Sequence, residues 1–225
     1  RGLMLRIIAK IVFWFLAISL GAVVLFRFVP PPITLTMLFD QNGITKDWTP
    51  LSRIDRNMVA AAIAAEDGKF CSHNGFDTAA IEQAMARNAR GERLRGGSTI
   101  SQQTAKNVFL WQGEGFSRYA RKGLEVWFTF LIENMWTKRR IMEVYLNVAE
   151  TGIGTYGVEA GAQRYFNKSA ARLSPAEAAR MAAALPSPKK RSVVNPRGFT
   201  KRYGNTVAAR VGVVKRNDLD LCVYE

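Results

Sequence analysis

The apolar positions of this chain fall into one long unbroken run followed by short, spaced clusters. The run Ile11 to Phe26 (IVFWFLAISLGAVVLF) carries no charge. A membrane-spanning helix takes roughly 20 apolar residues. The run reaches that length as Ile7 to Val29 when Lys10 and Arg27 extend their charged ends to the headgroups. Pro30-Pro31-Pro32 then ends the helix and makes a stiff spacer. Residues 33–50 mix short apolar pieces with Asn42-Gly43 and Thr49-Pro50, the pattern of a linker with a turn.

From Leu51 onward apolar residues recur at helical spacing. Ile54 to Ala65 reads as an Ala-rich helix. Asp77 reads as the N-cap of a helix carrying Ile81 and Met85 and ending near Gly91. Arg87 to Gly97 is polar and Gly-rich and reads as a mobile loop; Ser98 caps a helix through about Phe109, and Trp111 to Gly115 is another loop. Long amphipathic stretches follow at Arg118 to Trp136 and Arg139 to Ala149. Val158 to Phe166 is helical, Ser174-Pro175-Ala176-Glu177 is a capping box opening a helix that stops before Pro186, and Lys201 to Lys215 is the last helix. No strand-like alternation is sustained. The fold class is mainly α, with residues 1–29 as cytoplasmic stub and anchor, 30–50 as linker and membrane-proximal segment, and 51–225 as one globular domain.

Charge refines this picture. Lys+Arg number 32 and Asp+Glu 18, a formal +14. Removing Arg1, Arg6, Lys10 and Arg27 of the anchor segment still leaves the domain strongly basic. Such a balance suits an anionic partner (nucleic acid, lipid headgroups or a phosphorylated substrate) or simply a solubilising surface. No acidic residue precedes Asp40, so positive-inside logic puts the N-terminus in the cytoplasm and the domain outside it. The run ends without an A-x-A-like site, which favours a retained anchor over a cleaved signal peptide. Arg1 is not an initiating Met, which leaves room for residues upstream. Cys71 and Cys222 form neither a C-x-x-C pair nor a zinc spacing, and neither require nor exclude an oxidising compartment.

Four segments carry candidate chemistry. Glu66-Asp67 close the Ala-rich helix and Phe70 and His73 follow. Apolar neighbours raise a carboxylate pKa toward neutrality, where it can take or give a proton. The plain alternative is a surface acid pair. His73, the sole histidine, fits loop positioning better than metal binding. In the second segment Gly96 and Gly97 permit close backbone approach, and the following helix N-terminus suits an anion. Thr99, Gln103 and Lys106 share a helical face, a stripe suited to a sugar diphosphate or to nothing beyond a capped surface helix. The third segment places Arg118, Arg121, Lys122 and Glu125 on one face. It is either a solvated stripe or a cationic clamp, and Arg can grip phosphate bidentately. In the fourth, Lys138 to Asn147, Glu143 reads as structural, while Tyr145 and Asn147 either line a cleft or satisfy helix ends.

Taken in order, these segments resemble the signatures of the family 51 glycosyltransferases, the peptidoglycan transglycosylases that polymerise lipid II. Glu66-Asp67-x-x-Phe70-x-x-His73-x-Gly75 resembles E-D-x-x-F-x-x-H-x-G. Gly96 to Asn107 resembles G-G-S-T-[IL]-[ST]-Q-Q-x-x-K-N, Arg121-Lys122-x-x-Glu125 resembles R-K-x-x-E, and Lys138 to Asn147 resembles K-x-x-I-[LM]-E-x-Y-L-N. The likeness extends through Gly152 to Gly157, Tyr165-Phe166-x-Lys168 and the Leu173-to-Pro186 helix, and covers roughly residues 50–200. It implies a lysozyme-like helical lobe with a smaller membrane-facing lobe. The reaction it implies is attack of an acceptor lipid II 4-hydroxyl on C1 of a lipid-linked glycan, inverting the α linkage to β-1,4 and releasing undecaprenyl diphosphate.

By the same resemblance Glu66 is the general base and Glu125 a second acid that organises the diphosphate or a divalent ion (Mg or Mn); no organic cofactor is implied. Lys106, Arg121 and Lys122 would neutralise the leaving diphosphate. Ser98, Thr99, Gln103 and Asn107 would hold phosphate and sugar, and Asp67, Phe70 and His73 would shape the pocket. The implied partners are lipid II, a lipid-linked glycan, the cytoplasmic membrane and other cell-wall synthesis or division proteins, with no nucleic acid. The implied place is the bacterial inner membrane, single-pass, with the catalytic domain on the periplasmic side. Ser187-Pro188-Lys189-Lys190 fits S-x-x-K by chance, since no transpeptidase motifs follow. Two rivals remain: a membrane-anchored lysozyme-like lytic enzyme, and a tethered basic scaffold. Neither accounts for cations at fixed helical offsets from Thr99 and Glu125.

Overall fold

The computed structural model describes residues 2–90, 97–112 and 117–225. The described part is mainly helical, as expected. Ten α-helices run in order: α1 (Gly2–Phe28), α2 (Leu35–Leu38), α3 (Arg56–Glu66), α4 (Thr78–Ala89), α5 (Ile100–Phe109), α6 (Ser117–Met135), α7 (Lys138–Val148), α8 (Val158–Phe166), α9 (Pro175–Ala184) and α10 (Gly198–Arg216). Three short strands, β1 (Thr45–Lys46), β2 (Glu150–Gly152) and β3 (Thr155–Tyr156), form a small sheet in the order β1-β3-β2. The loop readings over 91–96 and 113–116, and Gly96 with them, lie outside the described residues. The expected loop nevertheless starts later than Arg87, because α4 continues to Ala89.

α1 is apolar on all sides. At 1.5 Å per residue its 27 residues span about 40 Å, more than a bilayer's hydrocarbon core. It does not leave the domain as a free tether. Trp127 on α6 donates its indole N–H to Ser19 Oγ (3.2 Å), and Trp136 donates to the Val23 carbonyl (2.8 Å). The Arg140 guanidinium caps the end of the helix, donating to the carbonyls of Phe26 (3.1 and 2.9 Å) and Val29 (2.9 Å). Those carbonyls lack intrahelical donors, and a cation there also complements the helix dipole.

The segment 30–50, expected to be a linker, is instead woven into the domain. Met37 is fully buried. Thr45 and Lys46 pair in parallel with Thr155 and Tyr156. The Asn147 amide accepts the Thr49 N–H (2.8 Å) and donates to the Thr49 carbonyl (2.9 Å). The turn between β2 and β3 makes this docking possible. Gly154 has φ +61°, and a Cβ there would lie 2.6 Å from the Asn42 carbonyl oxygen. Only glycine fits both demands.

The core of the domain is a layer of α3, α9 and α10 against a second layer of α5, α6 and α7. Small residues set the spacing in the first layer. Ala60, Ala61 and Ala62 on α3 and Ala182, Ala183 and Ala184 on α9 are fully buried. Residues 217–225 fold back as a clasp. Asp220 is fully buried and receives two hydrogen bonds from Arg56 (2.8 and 2.7 Å), while Arg139 donates to the Val223 carbonyl (3.2 Å). The clasp is closed covalently by a disulfide between Cys71 and Cys222, which settles a pairing the sequence left open.

A cross-link that closes so long a loop stabilises mainly by restricting the unfolded chain. Reduction, or the double variant Cys71→Ser/Cys222→Ser, is expected to lower the unfolding free energy by about 2–5 kcal/mol. Urea unfolding with and without a reductant checks this.

Candidate active site

The site is built on the exit from α3. Asp55 caps the start of this helix by accepting the Asn57 N–H (2.8 Å), and the helix ends at Glu66. Asp67 then turns into extended backbone and points its carboxylate at α5. It accepts the Ile100 N–H (3.0 Å) and stands 2.9 and 3.1 Å from His73 Nε2. The Gly75 N–H donates to His73 Nδ1 (3.1 Å), so the ring carries its proton on Nε2 and donates it to Asp67. His73 is thus a positioning residue. Gly75 itself has φ +88°, and a Cβ there would meet Thr129 at 2.8 Å. Phe70 is fully buried in the core rather than facing a pocket, with the Lys138 ammonium 4.6 Å from its ring centroid. Lys138 also donates to the His73 carbonyl (2.7 Å) and to Glu133 (2.8 Å), locking the loop to α6 and α7.

Thr99, not Ser98, caps α5. Its hydroxyl accepts the Gln102 N–H (3.1 Å) while its own N–H donates to Gln102 Oε1 (3.0 Å). The shift of one residue has a cause outside the helix: the Thr99 hydroxyl also donates to the Gly75 carbonyl (2.7 Å). Thr99 is therefore turned away from solvent, and the expected stripe divides. Gln103, Lys106 and Asn107 line an open cleft of about 810 Å³, whereas Thr99 holds the loop. Ser98 Oγ accepts from Lys122 Nζ (3.3 Å).

Glu66 lies just behind the cleft wall. Gln103 lines the cleft and donates its amide to Glu66 Oε2 (2.8 Å); Glu66 Oε1 is buried without a partner. Burial raises the Glu66 pKa above its ordinary value. The Gln103 hydrogen bond and the charges of Arg191 and Lys106 pull it part of the way back, and Asp67 pushes it up again. Lys106 is moved down, first by burial and then by Arg121 and Lys122, against the pull of Glu125 and Glu66. One buried carboxylate that favours its proton and one cation that holds its proton less tightly therefore face the same space.

Glu125 is 3% exposed, so the third segment is not a solvated stripe. It accepts from Arg121 Nη1 (3.3 Å) and from Lys122 Nζ. Among the described residues no three His, Cys, Asp or Glu side chains converge as a metal site. A divalent cation at Glu125 would meet two cations already in place. The described residues do not by themselves form a protein-held site for Mg²⁺ or Mn²⁺.

The opposite wall of the cleft was not legible in the sequence. Leu35, Phe39 and Asp40 come from the membrane-proximal segment, Glu150 and Tyr156 from the sheet, and Lys189 from the turn after α9. Asp40 accepts from the Tyr156 hydroxyl (2.6 Å) and Lys189 (3.1 Å). Burial alone would raise the Asp40 carboxyl, but the bonds from Tyr156, Asn42 and Lys189 outweigh it and hold it well below the usual range. Glu150 goes the other way, raised mainly by burial. The only hint in the sequence was the basic run Lys189-Lys190-Arg191 after Pro188.

A helical domain on an apolar N-terminal helix, with a buried acid beside a cationic cleft, is the architecture of a membrane-associated enzyme acting on an anionic substrate. The comparisons specify the class. The family model described as Transglycosylase matches residues 34–211. The biosynthetic peptidoglycan transglycosylase of Caulobacter vibrioides is 50% identical over 205 residues, covering 90% of this chain and 88% of that protein. The protein of the same name from Rhodospirillum centenum is 42% identical over 226 residues, covering 99% and 96%. That of Pseudomonas aeruginosa is 45% identical over 206 residues, covering 88% of each. This chain belongs to the transglycosylase family. The match begins at residue 34, in accord with the docking of residues 34–50 onto the domain.

Glu66→Gln tests the electrostatics of the site apart from its chemistry. Burial raises the folded-state pKa, so protonation favours the fold and the charged carboxylate opposes it. The Gln variant is expected to be more stable than wild type at pH values above the folded-state pKa. The difference should vanish as pH falls through the ordinary value of 4.5. Thermal unfolding followed as a function of pH reads it directly.

Proposed function

We propose that this protein is a peptidoglycan glycosyltransferase that polymerises lipid II into β-1,4-linked glycan strands, with Glu66 as general base. The observation that carries the reading is the Glu66 carboxylate itself. One oxygen is fixed by Gln103, the other is free, and burial raises the affinity of the group for a proton. The acceptor 4-hydroxyl attacks C1 of the donor as its proton passes to Glu66. The bond from C1 to the diphosphate oxygen breaks with its electron pair, and undecaprenyl diphosphate departs from the face opposite the attack, so the α linkage becomes β.

Charge on the leaving diphosphate has to be met by preorganised cations. Lys106 is the first of these, because it lines the cleft and its ammonium makes no hydrogen bond to a described residue. Arg121 and Lys122 stand close enough to depress its proton affinity, and Glu125 holds them in place. Glu125 thus acts by ordering cations and transfers no proton. A hydrolytic role is the weaker reading, since cleaving a glycosidic bond gives no work to this cationic array.

The orientation we propose is N-terminus in the cytoplasm and domain on the extracytoplasmic side of the inner membrane. Arg1, Arg6 and Lys10 precede the apolar run, and the Cys71–Cys222 disulfide favours an oxidising compartment. Phe39, 71% exposed, lines the cleft, and Leu38, 59% exposed, adjoins it in the chain. They give it an apolar margin where a lipid-linked substrate would enter.

With purified protein and labelled lipid II, Glu66→Gln is expected to reduce polymerisation by about 10²–10⁴-fold. Polymer made at the wild-type rate would remove Glu66 from the mechanism. Lys106→Met is expected to lower kcat/KM by roughly 10²–10³-fold without loss of fold. It is a cleaner variant than Arg121→Ala, which strips a partner from buried Glu125. Digestion of the product with a muramidase distinguishes polymer from aggregated substrate.

A further inference from the structure

Glu66 Oε1, behind the cleft wall, and the hydroxyl of Tyr145, a lining residue, are buried with no hydrogen-bond partner among the described residues, as are Thr36 Oγ1 and Glu150 Oε1 elsewhere in the lining. Tyr145 projects from α7 and is fully buried in the core, yet it contributes to the cleft lining together with Gln103 and Lys106. Burial, and then the charges of Glu66 and Asp67, raise its pKa well above the ordinary value. The hydroxyl is therefore a neutral group with a proton to donate. Glu66 Oε1, on an ionised carboxylate, can only accept.

An unmade hydrogen bond on a buried group costs about 1–3 kcal/mol. Here the cost arises on a donor and on an acceptor that share one neighbourhood and do not bond each other. The arrangement is matched by a third group that accepts from Tyr145 and donates to Glu66. A hydroxyl is the smallest group on a sugar that does both.

We propose that Tyr145 is a second contact on the acceptor hydroxyl, donating its O–H to the acceptor oxygen while that oxygen points its own proton at Glu66 Oε1. The inference rests on the base role of Glu66 given above. A hydroxyl oxygen has one proton and two lone pairs, arranged tetrahedrally. With the proton on Glu66 and one lone pair on Tyr145, the remaining lone pair is aimed in a single direction, toward C1 of the donor. As the bond to C1 forms, the proton passes to Glu66 and the bond from C1 to the diphosphate oxygen breaks. Tyr145 transfers no proton; it fixes the direction of attack.

The test compares Tyr145→Phe with Glu66→Gln in the full chain, using lipid II polymerisation from about pH 5 to pH 9 and thermal unfolding. Phe keeps the ring and removes only an unpartnered hydroxyl, so the variant should melt no lower than wild type. Its kcat should fall roughly 10- to 100-fold with little change in KM. A lower melting point would mean the hydroxyl has a structural partner, and would overturn the proposal. So would a wild-type kcat while Glu66→Gln is inactive; in that case the Tyr145 contact fails and the base role stands. Normal polymerisation by Glu66→Gln would instead remove the base role, and this inference with it.

Discussion

The carboxylate of Asp67 accepts the N–H of Ile100 and the ring N–H of His73, and in doing so ties the end of α3 to the start of α5. Glu66 is the preceding residue and Gln103 lies one turn into α5, so this joint sets the 2.8 Å hydrogen bond between them. Each further element leans on the same joint. His73 fixes Gly75, Gly75 accepts from Thr99, and Thr99 starts the helix that carries Gln103 and Lys106 to the cleft. A carboxylate at a helix N-terminus is favourable in its own right, because it meets N–H groups that have no partner within the helix. The Glu66 carboxylate is held by its neighbour's bonds and keeps an oxygen free.

The distribution of charge follows a similar division. The chain is strongly basic overall, yet several of its cations are placed individually against acids. Arg56 holds Asp220, Lys138 holds Glu133, Arg140 holds Glu143, and Arg121 and Lys122 hold Glu125. The first three pairings each set one cation against one acid, whereas Arg121 and Lys122 share a single acid and keep a net positive charge beside the cleft. Lys106 stands outside this scheme, partly buried and with its ammonium unbonded to the described residues. The net charge attracts anions to the membrane-proximal face in general; Lys106 gives the cleft its local demand for one.

Much of the fold was legible because local rules determine it. The capping box at Ser174 and the helix it opens, the N-cap role of Asp77, and the bounds of Val158–Phe166 follow from residues adjacent in sequence. The motif order was legible for the same reason and led to the family. What was not legible depends on distant partners. Ser98 and Thr99 are equivalent caps until the Gly75 carbonyl, 24 residues away, chooses between them. Glu125 reads as a surface acid until α6 packs against α5 and buries it. Residues 30–50 read as a linker until β1 finds β3 and Thr49 finds Asn147, 98 residues away.

The disulfide has a consequence for the order in which the protein matures. Cys222 follows Cys71 by 151 residues. During synthesis the loop that carries Asp67 and His73 emerges early, while the sulfur that will secure it has yet to be translated. Until then that loop relies on noncovalent contacts alone, and its free thiol is open to any other thiol it meets. The stretch that carries Cys222 is thus made well after the loop it secures, and its loss would be felt next to Glu66, far along the sequence from the missing residues.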